Sequence, residues 1–154
     1  MNEQAMEIKL RRIEPEERER VEIYCHEVND TVKEIAAFVK SRQGQLSGHM
    51  EGQQYEIPIT DVFFIESVDN RTFIYTAKQT FETKRKLYEL ETDLKEKSFL
   101  RISKASVVNL MKIKSIKPAL NGRLRAVLSN GEEIIISRKY VPDLRNTLRG
   151  GGVA

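Results

Sequence analysis

The segment FLRISKASVVNLMKIKSIKPALNGRLRAVLSNGEEIIIS, residues 99–137, decides the fold class of this chain. It contains five short apolar runs: FLRI, VVNLMKI, SIKPAL, RLRAVLS and EEIIIS. Asn121-Gly122 and Asn130-Gly131 each separate two of these runs, and Asn-Gly between such runs is the strongest short signal for a β-hairpin. The segment therefore predicts a series of short antiparallel strands.

The same pattern extends upstream to about residue 45. The runs YEIPI, DVFFIES, RTFIYT and QTFET predict further strands, and Asp69-Asn70 predicts a hairpin tip between two of them. One helix interrupts the series, because the leucines of KLYELETDLKEK (86–97) recur at helical spacing. The fold class is therefore mainly β, a β-rich α+β domain.

The C-terminal end predicts a last helix. We expect Ser137 to cap it, Pro142 to lie in its first turn, and Leu144 and Leu148 to share one face. Gly150 ends the pattern. The main domain therefore spans 45–149, and 150–154 is predicted to be a flexible tail.

Residues 1–44 predict a small strand–strand–helix segment. MEIKLRRI (6–13) and VEIYC (21–25) alternate apolar and polar side chains, as half-buried strands do. Asn29 or Asp30 is a candidate helix cap, and Thr31 with Glu34 has the spacing of a capping box. An apolar stripe at helical spacing continues to about residue 41. A role of this segment in self-association is a hypothesis, because the pattern is charged but amphipathic.

Composition limits the classes of function. No stretch approaches the roughly 20 apolar residues that span a bilayer, and residues 1–20 lack a signal-peptide core, so we expect a cytoplasmic protein without membrane insertion. Cys25 is the only cysteine, and His26 and His49 have no cysteine partner at metal spacing, so no metal site and no cofactor is expected. Enzyme motifs for a nucleophile elbow, a phosphate-binding loop or a zinc protease do not occur, so we expect no enzyme.

Positive charge is concentrated in the last third of the chain. Residues 1–98 carry 15 Lys/Arg and 20 Asp/Glu, a net charge of −5, whereas residues 99–154 carry 11 Lys/Arg and 3 acids, a net charge of +8. Such a field raises the local concentration of phosphates and suggests a polyanionic partner. A solvated lysine-rich surface is the alternative interpretation.

Four blocks between Gln45 and Leu148 carry a family resemblance. They are DVFFIESVDNRTFIYT (61–76), KLYELETDLKEK (86–97), FLRISKASVVNLMKI (99–113) and NGEEIIISRKYVPDLRNTL (130–148). Their order and spacing resemble the LytTR family, the LytR/AlgR class of DNA-binding domains in bacterial regulators. The resemblance implies a stack of small antiparallel sheets with one or two short helices. It also implies sequence-specific binding of double-stranded promoter DNA through loops that enter the grooves, in transcriptional regulators that often bind repeated half-sites as homodimers.

Three loops matter if the family's contacts are carried over. The loop after Glu66 offers Asn70, Arg71 and Thr72. The segment after Arg101 offers Ser103 and Lys104, and the junction into the last helix offers Arg138 and Lys139. Two departures affect this transfer: the chain has Ser103 where many members have His, and Ala105 where a second Ser is usual. Many members also begin with a receiver domain; only 44 residues precede the match here, so phosphorelay control is not expected.

Each candidate has a functional and a structural interpretation. We expect Arg138 to contact guanine through two hydrogen bonds, the commonest specific contact in the major groove, unless it pairs with Asp143. We expect Lys104 to contact a base or a phosphate, unless it is only a solvated surface lysine. We expect Lys139 to neutralise a phosphate. Ser103 bonds a phosphate or caps a local turn.

The remaining candidates have equally plain alternatives. Asn70 and Arg71 contact DNA or serve only the turn. Arg101 neutralises a phosphate or satisfies a neighbouring acid. Glu66 is expected to pair with a basic side chain. Asn109 is expected to be a satisfied turn or strand-end residue and not a ligand.

The competing class of function is a protein-interaction module whose basic face docks an acidic partner, such as a membrane-associated regulator. A hydrolase is a third class, but no nucleophile and base are assembled in the sequence.

Overall fold

The computed structural model describes residues 5–150 and confirms a mainly β fold. It contains two antiparallel sheets and three α-helices. The strands are β1 (Gln45–Met50), β2 (Gln53–Pro58), β3 (Phe64–Val68), β4 (Arg71–Tyr75), β5 (Thr80–Thr83), β6 (Phe99–Ser103), β7 (Ser106–Asn109), β8 (Ile113–Pro118), β9 (Leu124–Leu128) and β10 (Glu133–Ile136). The helices are α1 (Asp30–Arg42), α2 (Leu87–Asp93) and α3 (Val141–Arg149).

Seven strands form the large sheet in the order β2-β1-β5-β4-β3-β7-β6, and β10-β9-β8 form the small one. All neighbouring strands in the described residues pair antiparallel. Hairpin turns or short connections join the pairs β1–β2, β3–β4, β4–β5, β6–β7, β8–β9 and β9–β10. The predicted hairpin tip at Asp69-Asn70 is confirmed between β3 and β4. The polar strand β1 was not predicted, because QLSGHM has few apolar residues to mark it.

Two apolar clusters lie on opposite faces of the large sheet. On one face Leu87, Leu90 and Leu94 of the predicted helical stripe pack on the first cluster. On the other face the small sheet and α3 complete the second cluster, in which Leu144 is fully buried. Strand β3 serves both clusters, because successive side chains point to opposite faces. A strand buried on both faces fixes its own register, and with it the position of the β3–β4 turn.

Asn109 connects the strand β7 to the chain before β3. Its Nδ2 donates to the carbonyl of Val62 at 2.8 Å, and its Oδ1 accepts from the backbone of Met111 at 3.0 Å. The side chain is 3% exposed, so both bonds satisfy buried polar groups. The prediction of a satisfied strand-end residue is confirmed.

The N-terminal segment differs from its prediction. Residues 6–13 and 21–25 form no strand in the described part of the chain, so those two predictions are wrong. A lone two-stranded hairpin without a sheet beneath it is marginal in water, which accounts for the difference. The predicted helix is present, and its cap is Asn29, whose side chain accepts from Val32 N at 3.0 Å.

The start of the last helix also differs. Ser137 precedes a 3-10 turn, Arg138–Tyr140, and makes no side-chain capping bond, so the capping prediction is wrong. The α-helix itself begins at Val141, with Pro142 in its first turn as predicted. No helix among the described residues is both long and apolar enough to cross a membrane. Gly150 follows α3, and the rest of the predicted tail lies outside the described residues.

Candidate nucleic-acid interface

The three predicted loops lie side by side along one edge of the large sheet. The β3–β4 and β6–β7 turns are neighbours, because Glu66 pairs with Ser106 and Ser67 N donates to Ala105 O at 2.8 Å. Beyond β6, Ser137 N donates to Ile102 O at 2.8 Å. This bond places the start of the third loop next in the row. We call this row the loop edge: residues 69–72, 103–105 and 137–139, with 121–123 described below.

The loop edge has the dimensions of a short stretch of DNA. It crosses four spacings between neighbouring backbones, from β4 through β3, β7 and β6 to Ser137. At about 4.8 Å per spacing the row is about 19 Å long. Because B-DNA rises about 3.4 Å per base pair, this length corresponds to about six base pairs.

The turn between β3 and β4 is formed by two residues with positive φ. Asp69 and Asn70 both have left-handed backbones, with φ of 51° and 64°, which is the geometry of a two-residue hairpin turn that twists with its strands. Asn tolerates this conformation better than most residues. Asn70 is exposed on the loop edge, whereas Thr72 is 4% exposed and its side chain faces the core. Of these two candidates, only Asn70 presents its side chain to solvent.

Arg71 is exposed but already has a partner within the protein. Its Nε and Nη2 donate to the two carboxylate oxygens of Glu82 at 3.0 and 2.6 Å. This hydrogen bond lowers the pKa of the Glu82 carboxyl. The guanidinium also lies 5.2 Å from the ring centre of Phe73. Arg71 reaches a phosphate only by sharing or leaving this bidentate pair.

The second turn is held by Arg101. The Arg101 Nη1 donates to Glu91 Oε1 at 2.7 Å, Nε donates to the carbonyl of Ser103 at 2.8 Å, and Nη2 donates to the carbonyl of Lys104 at 2.5 Å. A planar guanidinium donates in several fixed directions at once, which an ammonium does not. The structure therefore favours the structural interpretation of Arg101, in which it satisfies a neighbouring acid and supports the turn.

Ser103 and Lys104 have different roles in this turn. The Ser103 hydroxyl accepts from Ala105 N at 3.1 Å, so it stabilises the turn locally. Lys104 is exposed, and its backbone is fixed by Arg101 while its side chain has no ion pair within residues 5–150. An exposed ammonium on a braced turn is available for a phosphate or a base edge.

Arg138 and Lys139 lie in the 3-10 turn before α3, and both are exposed. No ion pair joins Arg138 to Asp143 in the described part of the chain, so the alternative raised for Arg138 is not observed. Instead its aliphatic stem lies against Gly122, where a Cβ would be 2.9 Å from the Arg138 Cδ. The Lys139 Nζ lies 5.8 Å from the ring centre of Tyr140.

The structure adds a fourth segment that sequence reasoning missed. The β8–β9 connection folds against the third loop, and a shallow concavity forms between them, lined by Asn121, Arg123, Ser137, Arg138, Lys139 and Pro142. In the sequence, Asn121-Gly122 signals only a hairpin. The basic residue directly after it, Arg123, was the available hint, but nothing local showed that it meets Arg138.

Glu66, in the middle of β3, has a different partner from the one expected. The hydroxyl of Tyr75 donates to Glu66 Oε1 at 3.0 Å across the β3–β4 pair, so the prediction of a basic partner is wrong. The Tyr75 ring stacks on Phe64 with centroids 4.3 Å apart. Burial, and then the bond to Glu66, raise the pKa of Tyr75 to about 12. Glu66 is thus part of the sheet's packing.

Comparisons with known proteins identify the same region. The sequence profile of the LytTr DNA-binding domain matches residues 52–149. A solved LytTr DNA-binding domain, from a methyl-accepting/DNA response regulator of Bacillus cereus, superimposes with a TM-score of 0.65 at 26% identity. It covers 68% of this chain and 96% of that chain.

Relatives of the whole chain match a longer stretch than the domain profile does. Two proteins of Staphylococcus aureus, from strains NCTC 8325 and COL, are named uncharacterised HTH-type transcriptional regulators and are 28% identical over 130 residues. A protein of the same description from the bovine strain RF122 is 29% identical. In each case the match spans 83% of this chain and 88% of the relative. The matched length exceeds the 52–149 domain, so the similarity includes residues upstream of β2.

Proposed function

Because the chain belongs to the LytTR family of DNA-binding domains, we propose that it is a sequence-specific regulator of transcription whose loop edge contacts the grooves of double-stranded DNA. The observation that carries this proposal is the convergence of exposed cations on one edge. Lys104, Arg123, Arg138 and Lys139 come from three separate parts of the chain and lie on neighbouring segments at one end of the loop edge.

Arg138 is the residue we propose for base recognition. Its stem rests on Gly122, which limits the directions in which the guanidinium points. A guanidinium with few rotamers donates two hydrogen bonds to guanine O6 and N7 at a low entropic cost. Lys139 and Arg123 flank it in the same concavity and are suited to the phosphates on either side.

Lys104 extends the contact along the row. It lies on the neighbouring turn, one strand spacing from the Ser137 backbone. The Arg101 guanidinium stabilises that turn by hydrogen bonds to the carbonyls of Ser103 and Lys104. A single ammonium does not give bidentate selectivity, so we assign Lys104 a phosphate or a single base acceptor. Asn70 lies farther along the row and completes the span.

We further propose that two copies bind repeated half-sites in promoter DNA, in the cytoplasm where bacterial DNA lies. One loop edge spans about six base pairs, which is short for a specific site. Two such contacts double the recognised sequence, and they turn the second binding event into an intramolecular one with a high effective concentration.

The proposal is tested by fluorescence anisotropy with DNA from upstream of the protein's own coding region and scrambled DNA as competitor. Arg138→Ala is expected to cost about 1–3 kcal/mol on the specific site and to relax base preference, whereas Lys139→Ala weakens all sequences similarly. Lys78→Ala is the matched control, because Lys78 is an exposed cation beyond the end of β4 opposite the loop edge. Equal losses for Arg138→Ala and Lys139→Ala on specific and scrambled DNA would contradict the role of Arg138.

Salt dependence distinguishes the proposal from the protein-interaction alternative. If Lys104, Arg123 and Lys139 neutralise three phosphates while Arg138 contacts a base, log K falls with log salt with a slope of about −2.7 for each bound domain. If the protein does not prefer the upstream DNA over scrambled DNA, the probe is instead a sequence selected for binding from random DNA. No binding to any DNA at low salt would overturn the proposal and favour an acidic protein partner.

A further inference from the structure

A cavity that the loop edge does not use lies between helix α1 and the large sheet. Its volume is about 300 Å³, at the lower end of the range for sites that bind small molecules. We call it the α1 cavity. Its walls are α1, strand β1 and the segment that runs from the end of β5 into α2. Because α1 and β1 precede residues 52–149, the cavity is built partly from the DNA-binding domain and partly from the chain before it.

The α1 cavity is open because two strands separate beside a helix face with small side chains. In the described residues β1 and β5 pair at one position, His49 with Glu82. The next residues in register, Gly48 and Thr83, line the cavity instead of pairing. On the opposite wall α1 presents two small side chains, Ala36 and Ala37. Larger apolar side chains at these positions would close the space, because protein interiors are otherwise packed without voids.

The lining combines an apolar floor with a cationic rim. Leu46 and Leu90 form the floor and are 3% and 1% exposed. Four basic side chains from two parts of the chain line the rim: Lys33, Lys40, Lys84 and Arg85. No aspartate or glutamate is among the described residues that line the cavity. A concave site with both properties is suited to a molecule that has an apolar body and a negative group.

Lys33 and Lys84 supply positive charge that the protein itself does not neutralise. Both are exposed, and neither has an ion pair within residues 5–150. Lys33 shares one face of α1 with both alanines of the lining and with Lys40, because residues three, four and seven apart lie on one side of a helix. The two lysines therefore stand on opposite walls of one concave space, where their fields add and attract an anion.

The other two cations have partners that leave part of their bonding capacity free. Lys40 Nζ lies 3.0 Å from Glu56 Oε1. Arg85 Nη2 donates to Asp93 Oδ2 at 2.6 Å. The buried Arg85 Nε has no hydrogen-bond partner within the described residues, and Glu89 Oε1 is 3.8 Å away from it. A buried donor without a partner is uncommon in native proteins, and a guanidinium beside an anion would satisfy it.

We propose that the α1 cavity binds a small organic anion, a carboxylate, sulfonate or phosphate carried on a compact apolar body. The negative group lies among Lys33, Lys84 and Arg85, and the apolar body rests on Leu46 and Leu90. Charge-assisted hydrogen bonds to the guanidinium and the ammonium groups orient the ligand, while the apolar contact adds affinity. The same charges exclude a metal cation.

The α1 cavity adjoins the loop edge. Thr83, in its lining, pairs with Thr72 of the loop edge. His49, also in its lining, has Nε2 3.9 Å from Glu82 Oε1, and Glu82 accepts both hydrogen bonds from Arg71. An anion in the cavity adds negative charge beside the surface that faces the phosphates, so we expect it to weaken DNA binding. This effect rests on the proposed function, but the binding of the anion does not.

The test titrates the full chain, without DNA, with two fluorescent probes that have the same ring system. One is 8-anilinonaphthalene-1-sulfonate (ANS), which carries a sulfonate, and the other is N-phenyl-1-naphthylamine (NPN), which is uncharged. Both fluoresce more strongly in an apolar site. The wild type is expected to bind one ANS with a dissociation constant of about 20 µM, the value typical of a ligand of this size.

Two variants separate the charge of the cavity from its volume. Lys33→Gln/Lys84→Gln is expected to weaken ANS binding at least about 25-fold, because each unit charge about 4 Å from the anion is worth about fivefold even in water. Its affinity for NPN is expected to stay within about twofold of the wild type. Lys114→Gln/Lys117→Gln is the matched control, since both lysines are exposed on β8, outside the cavity, and its ANS binding is expected to be unchanged.

Ala37→Leu keeps a good helix former in α1 but fills the cavity, so it is expected to lose both probes without a change in circular dichroism. A wild type without saturable ANS binding would overturn the inference. So would Lys33→Gln/Lys84→Gln with ANS affinity within about twofold of the wild type, or Ala37→Leu that binds both probes.

The effect on DNA is measured with DNA that carries a far-red label, so that ANS fluorescence does not interfere. Saturating ANS is expected to weaken DNA binding, and DNA to weaken ANS binding by the same factor, because coupling between two sites is reciprocal. NPN is the uncharged control and is expected to leave DNA binding unchanged. Unchanged DNA affinity with ANS bound would overturn the control of DNA binding by this site. A wild type that binds ANS but no DNA would instead refute the proposed function alone.

Discussion

Replacing Arg101 by lysine separates two explanations of why a positive charge stands at this position. If Arg101 neutralises a phosphate, lysine preserves the charge and DNA binding stays near the wild-type level. If Arg101 holds the Ser103–Lys104 turn, as its three hydrogen bonds indicate, lysine fails because it lacks the fork of donors. We expect Arg101→Lys to weaken DNA binding although the net charge is unchanged.

The expected magnitude follows from the bonds that lysine loses. An ammonium can keep the contact with Glu91, but it does not also reach the carbonyls of Ser103 and Lys104 in the directions that the guanidinium uses. Two hydrogen bonds at a net value of about 1 kcal/mol each stabilise the ordered conformation of the turn by about 2 kcal/mol, and lysine loses this free energy. If the bound complex requires the ordered turn, the affinity falls about 30-fold.

The assay is anisotropy titration of wild type, Arg101→Lys, Arg101→Ala and Glu91→Gln at several salt concentrations. Under the positioning role, Arg101→Lys resembles Arg101→Ala, Glu91→Gln loses less because one bond weakens, and the salt slope of Arg101→Lys stays at the wild-type value. Arg101→Lys binding within about twofold of wild type, with Arg101→Ala much weaker, would refute the reasoning and return Arg101 to a phosphate contact.

Three further predictions concern the supports of the fold and of the loop edge. Gly122→Ala is expected to lower the free energy of unfolding by about 1–2 kcal/mol, because φ at this position is +76°, and to weaken DNA binding by displacing the Arg138 stem; urea titration and anisotropy measure the two effects. Asn109→Ala is expected to cost about 2–4 kcal/mol in urea unfolding, since it leaves two backbone groups without a partner, and a loss below about 1 kcal/mol would mean that water replaces both bonds. The free energy of unfolding of the wild type is expected to fall as pH rises from 10 toward 12. The pKa of the Tyr75 phenol is 10.0 in the unfolded chain and about 12 in the native protein. The contribution of Tyr75 to the free energy of unfolding is therefore fully present below pH 10 and is lost as the pH rises toward 12. Tyr75→Phe is expected to lack this pH-dependent loss.

Much of the fold was predictable because its signals are local. The alternation in RTFIYT and QTFET, and Asn-Gly or Asp-Asn between such runs, specify strands and turns through the φ/ψ preferences of the residues themselves. The strand β1 and the absence of strands in residues 6–13 and 21–25 were not predictable in the same way. Alternation reports that a segment is suited to a sheet, but whether a sheet is present to receive it depends on the rest of the molecule.

By itself, the sequence determined the mainly β class, the positions of most turns, and the basic character of the last third. These properties follow from residue types and their near neighbours. Only the tertiary structure decided that Arg101 supports a turn, that Arg123 lies beside Arg138, and that Thr72 faces the core. The physical reason is that a long charged side chain takes its role from the groups within its reach. Those groups, such as Glu91 for Arg101 and Gly122 for Arg138, come from distant parts of the chain and meet only when the sheets pack.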